Sequence, residues 1–170
     1  WYPEQSDTPN SVEGHKYHVW GVAWNPDGNR LASVDGDGRL LIWDPNTAEV
    51  VQQIKSDRVL HGVEWNKDGT LVAAFAHQGP TSVWRTDNGE LQQTIGERTT
   101  AFNWQDGSSL AVRSESSVVT WDCELGQKTG ELPTTDSEYI FRTSPDGKYL
   151  ATASASSVKV RSLRTTEEVA

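Results

Sequence analysis

An internal repeat of about forty residues constrains the fold of this chain more than any other feature. Turn sequences containing Asp-Gly end at Gly28, Gly69, Gly107 and Gly147, which follow one another at this interval. A second column keeps nearly the same spacing and consists of Trp43, Trp84, Trp121 and Arg161. Because the residues of both columns recur at nearly the same interval, the 170-residue chain is predicted to contain four copies of one structural unit.

Each unit is predicted to consist of short strands separated by turns. In the first unit, apolar or β-branched runs cover residues 19–24, 31–34, 40–43 and 50–54. Later units repeat the pattern at 71–75, 82–84, 110–112, 118–121, 149–153 and 158–160. No segment has a helical period of apolar residues. Four strands in about forty residues predict an all-β fold made of β-propeller blades with four antiparallel strands each.

The first complete unit resembles a repeat of the WD-repeat family, because it opens with Gly14-His15 and closes its third strand with Trp43-Asp44. In that family, a Ser or Thr on the second strand and an Asp in the next turn join the His and the Trp in a buried hydrogen-bonded network. The resemblance implies that this network consists here of His15, Ser33, Asp37 and Trp43. The other units depart from the pattern at Ser56-Asp57, Gln78, Glu115, Ala155 and Arg161.

The repeats divide the chain into one partial unit and four longer ones. Residues 1–13 align with the end of a repeat and are expected to be an outer strand left from a truncated preceding repeat. The four repeats are predicted at 14–55, 56–97, 98–134 and 135–170, the last with its fourth strand cut short. Because WD-repeat rings usually have seven or eight blades, the resemblance implies an open arc whose missing blades belong to the parent protein. The alternative is a small closed ring in which residues 8–12 complete the fourth blade.

Charge and cysteine content restrict the partners. The chain has 15 Lys and Arg against 24 Asp and Glu, a net charge of -9, which opposes the phosphate neutralisation that nucleic-acid binding requires. No apolar run approaches the roughly 18 residues of a membrane span. We therefore expect neither a nucleic-acid nor a membrane partner.

The single cysteine, Cys123, cannot form an internal disulfide, which favours a reducing, cytoplasmic location.

A third column supplies candidate partner-binding residues. Seven of the eight tryptophans fall in two structural columns, before the first turn or at the end of the third strand, and Trp20 is the exception. Trp20, His61, Thr100 and Tyr139 share one position near the start of each innermost strand, which in WD-repeat propellers lines the face most used by partners. The predicted partner-binding rim consists of Trp20, His61, Tyr139, His18, Arg58 and Arg113, with Asp57, His77 and Arg98 as weaker candidates.

The motifs that carry catalysis are absent from the sequence. There is no Gly-x-Ser-x-Gly elbow and no Walker-type loop, and the pair His15 and His18 has no obvious third metal ligand. We therefore expect no catalytic residue, no metal and no cofactor. The leading hypothesis is a non-catalytic scaffold that binds a partner protein or peptide on the rim. The alternatives are a propeller enzyme or small-ligand-binding protein with a site in the channel, and a purely structural part of a larger propeller.

Overall fold

A computed structural model of the protein describes residues 13–76, 78–135, 140–144 and 146–163. These residues form fifteen strands and four antiparallel sheets, in which strands adjacent in sequence are neighbours. The first sheet contains β1 (Val19–Trp24), β2 (Leu31–Asp35), β3 (Arg39–Asp44) and β4 (Glu49–Lys55). The second contains β5 (Leu60–Trp65), β6 (Leu71–Ala76), β7 (Thr81–Arg85) and β8 (Leu91–Ile95). Within these ranges, no helix is long and apolar enough to cross a bilayer.

The third and fourth sheets repeat the same arrangement. The third contains β9 (Ala101–Trp104), β10 (Ser109–Arg113), β11 (Ser117–Asp122) and β12 (Gln127–Pro133). The described strands of the fourth are β13 (Ile140–Thr143), β14 (Tyr149–Ala153) and β15 (Val158–Ser162). The predicted all-β fold of propeller blades is confirmed. The strand predicted at 8–12 and the fourth strand of the last repeat lie outside the described residues, as does all of the predicted outer strand 1–13 except Glu13.

Apolar layers hold each blade against the next. Between the first two sheets, the buried side chains include Val34 and Ile42 on one side and Val72 and Trp84 on the other. The next two layers are centred on Val83 with Val112, and on Val118 with Phe141. At the two ends of the series, Val22 on β1 and Val158 on β15 are exposed. The described sheets therefore form an open succession of blades.

Hydrogen bonds from the tryptophans before the first turn also join adjacent blades. Trp65 donates its indole N–H to the Ala23 carbonyl oxygen at 3.0 Å, and Trp104 donates to the Glu64 carbonyl oxygen at 3.3 Å. Each bond runs from one blade to the blade before it, which explains why tryptophan recurs at this position. Trp24 occupies the same position in the first blade but is 56% exposed, so in the described part of the chain this interblade bond is made by Trp65 and Trp104 and not by Trp24.

The recurring Asp-Gly turn connects the first two strands of a blade. Gly28 and Gly69 have φ angles of 70° and 75°, in the left-handed region that side chains disfavour. Their N–H groups donate to the carbonyl oxygens of Asn25 and Asn66 at 3.0 and 3.2 Å. This turn sets the direction in which the second strand returns, and with it the two ends of each blade.

Candidate partner-binding rim

A buried chain of hydrogen bonds links four side chains of the first blade. His15 Nδ1 lies 2.7 Å from Asp35 Oδ2, and His15 Nε2 lies 2.6 Å from Ser33 Oγ. The Trp43 indole N–H donates to the same Ser33 oxygen at 2.7 Å. All donors are satisfied when His15 carries its proton on Nδ1 and the Ser33 hydroxyl donates to Nε2. The network holds the segment before β1 against β2 and β3.

The acidic member of this network is Asp35, which corrects the prediction of Asp37. Asp35 is the last residue of β2 and lies two residues after Ser33, so strand alternation places both side chains on the face that His15 covers. Its other oxygen accepts the backbone N–H groups of Asp37 and Arg39 at 2.9 and 3.0 Å. Asp37 lies in the turn, where its carboxylate pairs with Lys55 at 3.0 Å and Arg39 at 3.5 Å.

Hydrogen bonding sets the charge of the Asp35 carboxyl group. Burial alone would raise its pKa, because the charged form loses solvation. The backbone N–H of Arg39, the His15 side chain and the backbone N–H of Asp37 outweigh burial and lower the pKa of Asp35 below its usual 3.8. Asp35 is therefore ionised at neutral pH and anchors both the turn and His15.

The order Asp35, His15, Ser33 matches the connectivity of a hydrolase triad. Ser33 is only 4% exposed, and its oxygen accepts the Trp43 indole N–H. A triad serine must present its oxygen to a substrate carbonyl, and this oxygen lies inside the blade. The arrangement therefore stabilises the fold.

The later blades have replaced this network. Ala74 and Ala76 of the second blade occupy the positions of Ser33 and Asp35, one repeat further along the chain. In the third and fourth blades, the turn is closed instead by serine pairs, Ser114 with Ser117 at 3.3 Å and Ser154 with Ser157 at 2.8 Å. The first blade alone among those described carries the complete network.

The rings of Trp20 and His61 stack across the boundary between the first and second blades. Their centroids are 4.9 Å apart and their planes differ by 19°. His18 flanks Trp20 on one side, at 6.1 Å, and Phe75 lies 6.4 Å beyond His61. A further contact joins Phe75 to Phe102 edge-on at 5.8 Å. The aromatic series thus extends over three blades, from the rim into the core.

Backbone irregularities place Trp20 and His61 beside each other. The pairing of β1 with β2 shifts between Val19 and Gly21, and that of β5 with β6 shifts between Leu60 and Gly62. Each stacking residue is therefore the extra residue of a bulge, which redirects its side chain. A Cβ on Gly21 would lie 3.1 Å from the Gly62 Cα atom, so glycine at both positions lets the innermost strands approach closely.

The stacked pair is part of an exposed surface. Trp20 is 53% exposed, and Tyr17 and Val19 in the same segment and Val59 just before β5 are also exposed. A Cβ on Gly36 would lie 3.3 Å from Trp20 Nε1, which places the indole against the β2–β3 turn. We call the surface formed by Tyr17, His18, Trp20, Val59 and His61 the aromatic rim.

Three of the remaining predicted rim residues are exposed, and two lie outside the described residues. Arg58 is exposed, and its side chain lies beside the β6–β7 turn, where a Cβ on Gly79 would be 3.5 Å from Arg58 Cδ. Arg98 is exposed and pairs with Glu115 at 3.1 Å, and Asp57 is exposed. Tyr139 and His77 lie outside the described residues.

The prediction of Arg113 as a rim contact is wrong. Arg113 is 6% exposed and donates from Nη1 to Thr100 Oγ1 at 3.1 Å. It lies on β10 two residues from Ala111, on the side that packs against the fourth blade. Strand alternation therefore turns its side chain inward, which the spacing of polar residues in the sequence does not reveal.

A second polar cluster, where the innermost strands β5 and β9 end, is not among the residues predicted from the sequence. Glu64 and Asn103 lie at one position of neighbouring innermost strands and line a cavity of about 340 Å³ with Gln105 and Asp106. Burial raises the pKa of Glu64, and the positive charge of Arg142 opposes that shift. The signal that could have found the cluster is the column three residues after Trp20, which contains Ala23, Glu64, Asn103 and Arg142.

Possible metal ligands and the Cys123 thiol are the remaining groups that could support catalysis. Over the described ranges, no three His, Cys, Asp or Glu side chains come together in a way that could hold a metal. Cys123 is buried, and burial with the nearby charge of Asp122 raises the pKa of its thiol to about 12. A thiol with so high a pKa is a poor nucleophile at neutral pH.

Comparison with known proteins points to one family. The family model described as "WD domain, G-beta repeat" matches residues 7–44. Similar curated proteins include Coronin-7 of Bos taurus, 50% identical over 34 residues, and Striatin-4 of Homo sapiens, 49% identical over 37 residues. Guanine nucleotide-binding protein subunit beta of Arabidopsis thaliana is 36% identical over 45 residues. These matches cover 20%, 22% and 26% of this chain but only 4%, 5% and 12% of the three proteins.

Proposed function

Because this chain is a WD-repeat protein, we propose that it is a scaffold that binds a partner protein or peptide on the aromatic rim. The observation that carries the proposal is the position of Trp20, which is 53% exposed yet stacked on His61 at 4.9 Å. WD repeats generally serve protein–protein interaction, and the rim is the part of this chain that best suits that role.

The aromatic rim has the physical properties of an interaction hot spot. A large indole held by a neighbouring ring loses little conformational freedom on binding, so most of its buried apolar area contributes to affinity. The rim spans both blades, because Tyr17 and Trp20 lie beside Gly36 in the first blade and Trp20 stacks on His61 of the second. A partner that covers this surface would remove apolar area from two blades at once.

Much of the negative charge of the chain lies away from this rim. In a meander of four strands, the β1–β2 and β3–β4 turns lie at one end of the blade and the β2–β3 turn at the other. The turns at the end away from the rim carry seven aspartates: Asp27, Asp44, Asp68, Asp87, Asp106, Asp122 and Asp146. At the rim end, Asp37 is paired with Lys55 and Glu115 with Arg98, while the exposed Asp57 and Arg58 of the connecting loop have no ion pair among the described residues. The rim end therefore carries less unbalanced negative charge than the opposite end, and a neutral or acidic partner meets less repulsion there.

We also propose that the chain is non-catalytic and that it acts in the cytoplasm. The first proposal is supported by His15, whose two ring nitrogens are both engaged in the buried network, and by the high pKa of the Cys123 thiol. The second rests only on the single cysteine.

A capture experiment tests the rim. The chain, its Trp20→Ala variant and its Leu125→Ala variant would be immobilised separately, and the retained proteins quantified. Leu125 is 69% exposed in the β11–β12 turn, at the opposite end of a blade, and serves as the matched control. We expect at least one protein to be retained by the chain and by Leu125→Ala but lost from Trp20→Ala. Equal retention of every specific protein by all three would refute the proposal.

A further inference from the structure

A cavity of about 510 Å³ opens beside the aromatic rim, between the loop that joins the first two blades and the second sheet. Its walls include Asp57 and Arg58 from the loop, Ala76 and Ser82 from β6 and β7, and Trp84 at the end of β7. Arg58 and Val59 are exposed, so the cavity and the rim share one stretch of surface.

The cavity has a structural cause, because it lies where the first blade holds its buried network. Ala76, Ser82 and Trp84 stand at the positions of Asp35, Leu41 and Trp43, each one repeat further along the chain. Asp57 aligns with His15, after one residue is allowed for in the loop. In the second blade, therefore, alanine and serine replace larger side chains under a tryptophan common to both blades, and the loop does not supply an imidazole to fill the volume.

The polar groups around this cavity are mainly hydrogen-bond donors. Trp84 is 5% exposed, and its indole N–H has no hydrogen-bond partner within the described part of the chain, whereas the Trp43 N–H donates to Ser33. Arg58 lies at the edge beside Gly79 and has no ion pair among those same residues. Of the two basic side chains at the cavity, Lys55 is paired with Asp37, so Arg58 is the one available to a ligand.

We propose that the cavity binds a carboxylate side chain of the partner that docks on the aromatic rim, an inference that rests on the proposed function. A carboxylate accepts hydrogen bonds only, which matches the guanidinium of Arg58, the indole N–H of Trp84 and the hydroxyl of Ser82. The apolar walls at Leu60 and Pro80 would surround the methylene groups of such a side chain. The single carboxylate of Asp57 lies on the exposed loop and favours a ligand that approaches from the Arg58 side.

The position of the cavity also constrains the partner sequence. Arg58 and His61 are three residues apart, and the exposed Val59 lies between them. A partner segment that places an acidic residue in the cavity would therefore bring its neighbouring residues over Trp20 and His61. The ligand is thus a peptide segment in which an Asp or Glu lies next to apolar or aromatic residues.

Nuclear magnetic resonance of the indole N–H groups tests this site directly. The full chain would be titrated with N-acetyl-glutamate N-methylamide and, separately, with the matching glutamine compound. The Trp84 signal would be assigned by its loss in Trp84→Phe. We expect a saturable shift of that signal with the glutamate compound and a response at least about fivefold weaker with the glutamine compound.

Two substitutions test whether the cavity itself holds the carboxylate. Ser82→Leu introduces the residue that the first blade has at this position, and it should abolish the shift by filling the cavity. Arg58→Gln should weaken it at least about fivefold, whereas Lys67→Gln, in the exposed β5–β6 turn at the far end of the same blade, should leave it unchanged. The other seven indole signals report whether each variant is folded. If Ser82→Leu does not fold, the response of Arg58→Gln decides whether the cavity binds the carboxylate.

The outcomes also distinguish this proposal from the rim itself. No shift, an equal shift with both compounds, or a shift that survives in folded Ser82→Leu or in Arg58→Gln would overturn the carboxylate site. If Trp20→Ala loses the captured partner but the cavity variants retain it, the rim proposal stands and the cavity proposal fails. If the cavity responds as expected while Trp20→Ala retains every partner, the rim proposal fails instead.

Discussion

The indole of Trp20 and the imidazole of His61 stack at a centroid distance of 4.9 Å across the boundary between two blades. Neither blade forms this surface alone, because each contributes one ring from a bulge in its innermost strand. The surface is consequently as rigid as the packing between the blades, which rests on a buried layer that includes Val34, Ile42 and Val72. A binding surface built in this way depends on blade packing as much as on its exposed side chains.

Asp35→Asn should destabilise the chain, whereas Asp37→Asn should have little effect. The first substitution removes the charge from a fully buried group that bonds His15 and two backbone N–H groups. Losses of such bonds typically cost about 1–3 kcal/mol. Asp37 makes only partly exposed ion pairs, which are worth about 0–1 kcal/mol. Chemical unfolding of both variants measures the difference, and equal stability would contradict the assignment of Asp35 to the network.

The difference between wild type and Asp35→Asn should depend on pH. Because the folded-state pKa of Asp35 lies below the usual 3.8, its contribution to stability is fully present above that value and is lost as the pH falls through the lower folded pKa. Unfolding free energies measured between pH 7 and pH 2.5 should therefore converge below about pH 3.8. A gap that stays constant over this range would show that the charge of Asp35 is not responsible.

Ala48→Gly should stabilise the chain. Ala48 has a φ of 59°, in the left-handed region, and Gly89 and Gly126 occupy the same turn position in the next two blades with φ angles of 74° and 65°. Relief of this strain is worth about 1 kcal/mol. The reciprocal change Gly89→Ala should destabilise, because its Cβ would also lie 2.4 Å from Gln52 Nε2. Thermal unfolding of the pair provides the test, and a lower melting temperature for Ala48→Gly would contradict it.

Trp65→Phe should cost more stability than Trp24→Phe, although both tryptophans stand at the same repeat position. Trp65 donates to the Ala23 carbonyl oxygen, and its loss should cost about 1–2 kcal/mol. Trp24 is 56% exposed, so the change there should stay within about 0.5 kcal/mol. Denaturant midpoints of the two variants compare them directly, and the reverse order would show that Trp24 is the buried member of the column.

Periodicity is enough to predict most of the fold. The range predicted for the first strand, 19–24, is that of β1, whose end at Trp24 is marked by the Asn25-Pro26-Asp27-Gly28 turn. Spacing alone places Trp20 and His61 in one column, and their rings stack in the structure. Local turn chemistry and a fixed repeat length determine these features, and both can be read directly from the residues.

Side-chain direction is harder to predict. Asp35 and Asp37 lie in one Asp-Gly-Asp-Gly stretch, and only the end of β2 decides which of them faces His15. Arg113 is charged and close to a turn, yet strand alternation buries it. The cavity under Trp84 exists because Ala76 and Ser82 are small and because the loop before β5 supplies Asp57 where the first blade has a histidine. These properties arise from packing between strands, which a single sequence does not specify.

The most informative single measurement is the dissociation constant of a captured partner for the chain and for Trp20→Ala. Removal of a central aromatic side chain from a protein interface typically costs about 2 kcal/mol or more, so we predict at least about a 30-fold weaker complex. Leu125→Ala should bind within about twofold of the unsubstituted chain. If Trp20→Ala also binds within about twofold, the partner does not use the aromatic rim and the proposed function is wrong.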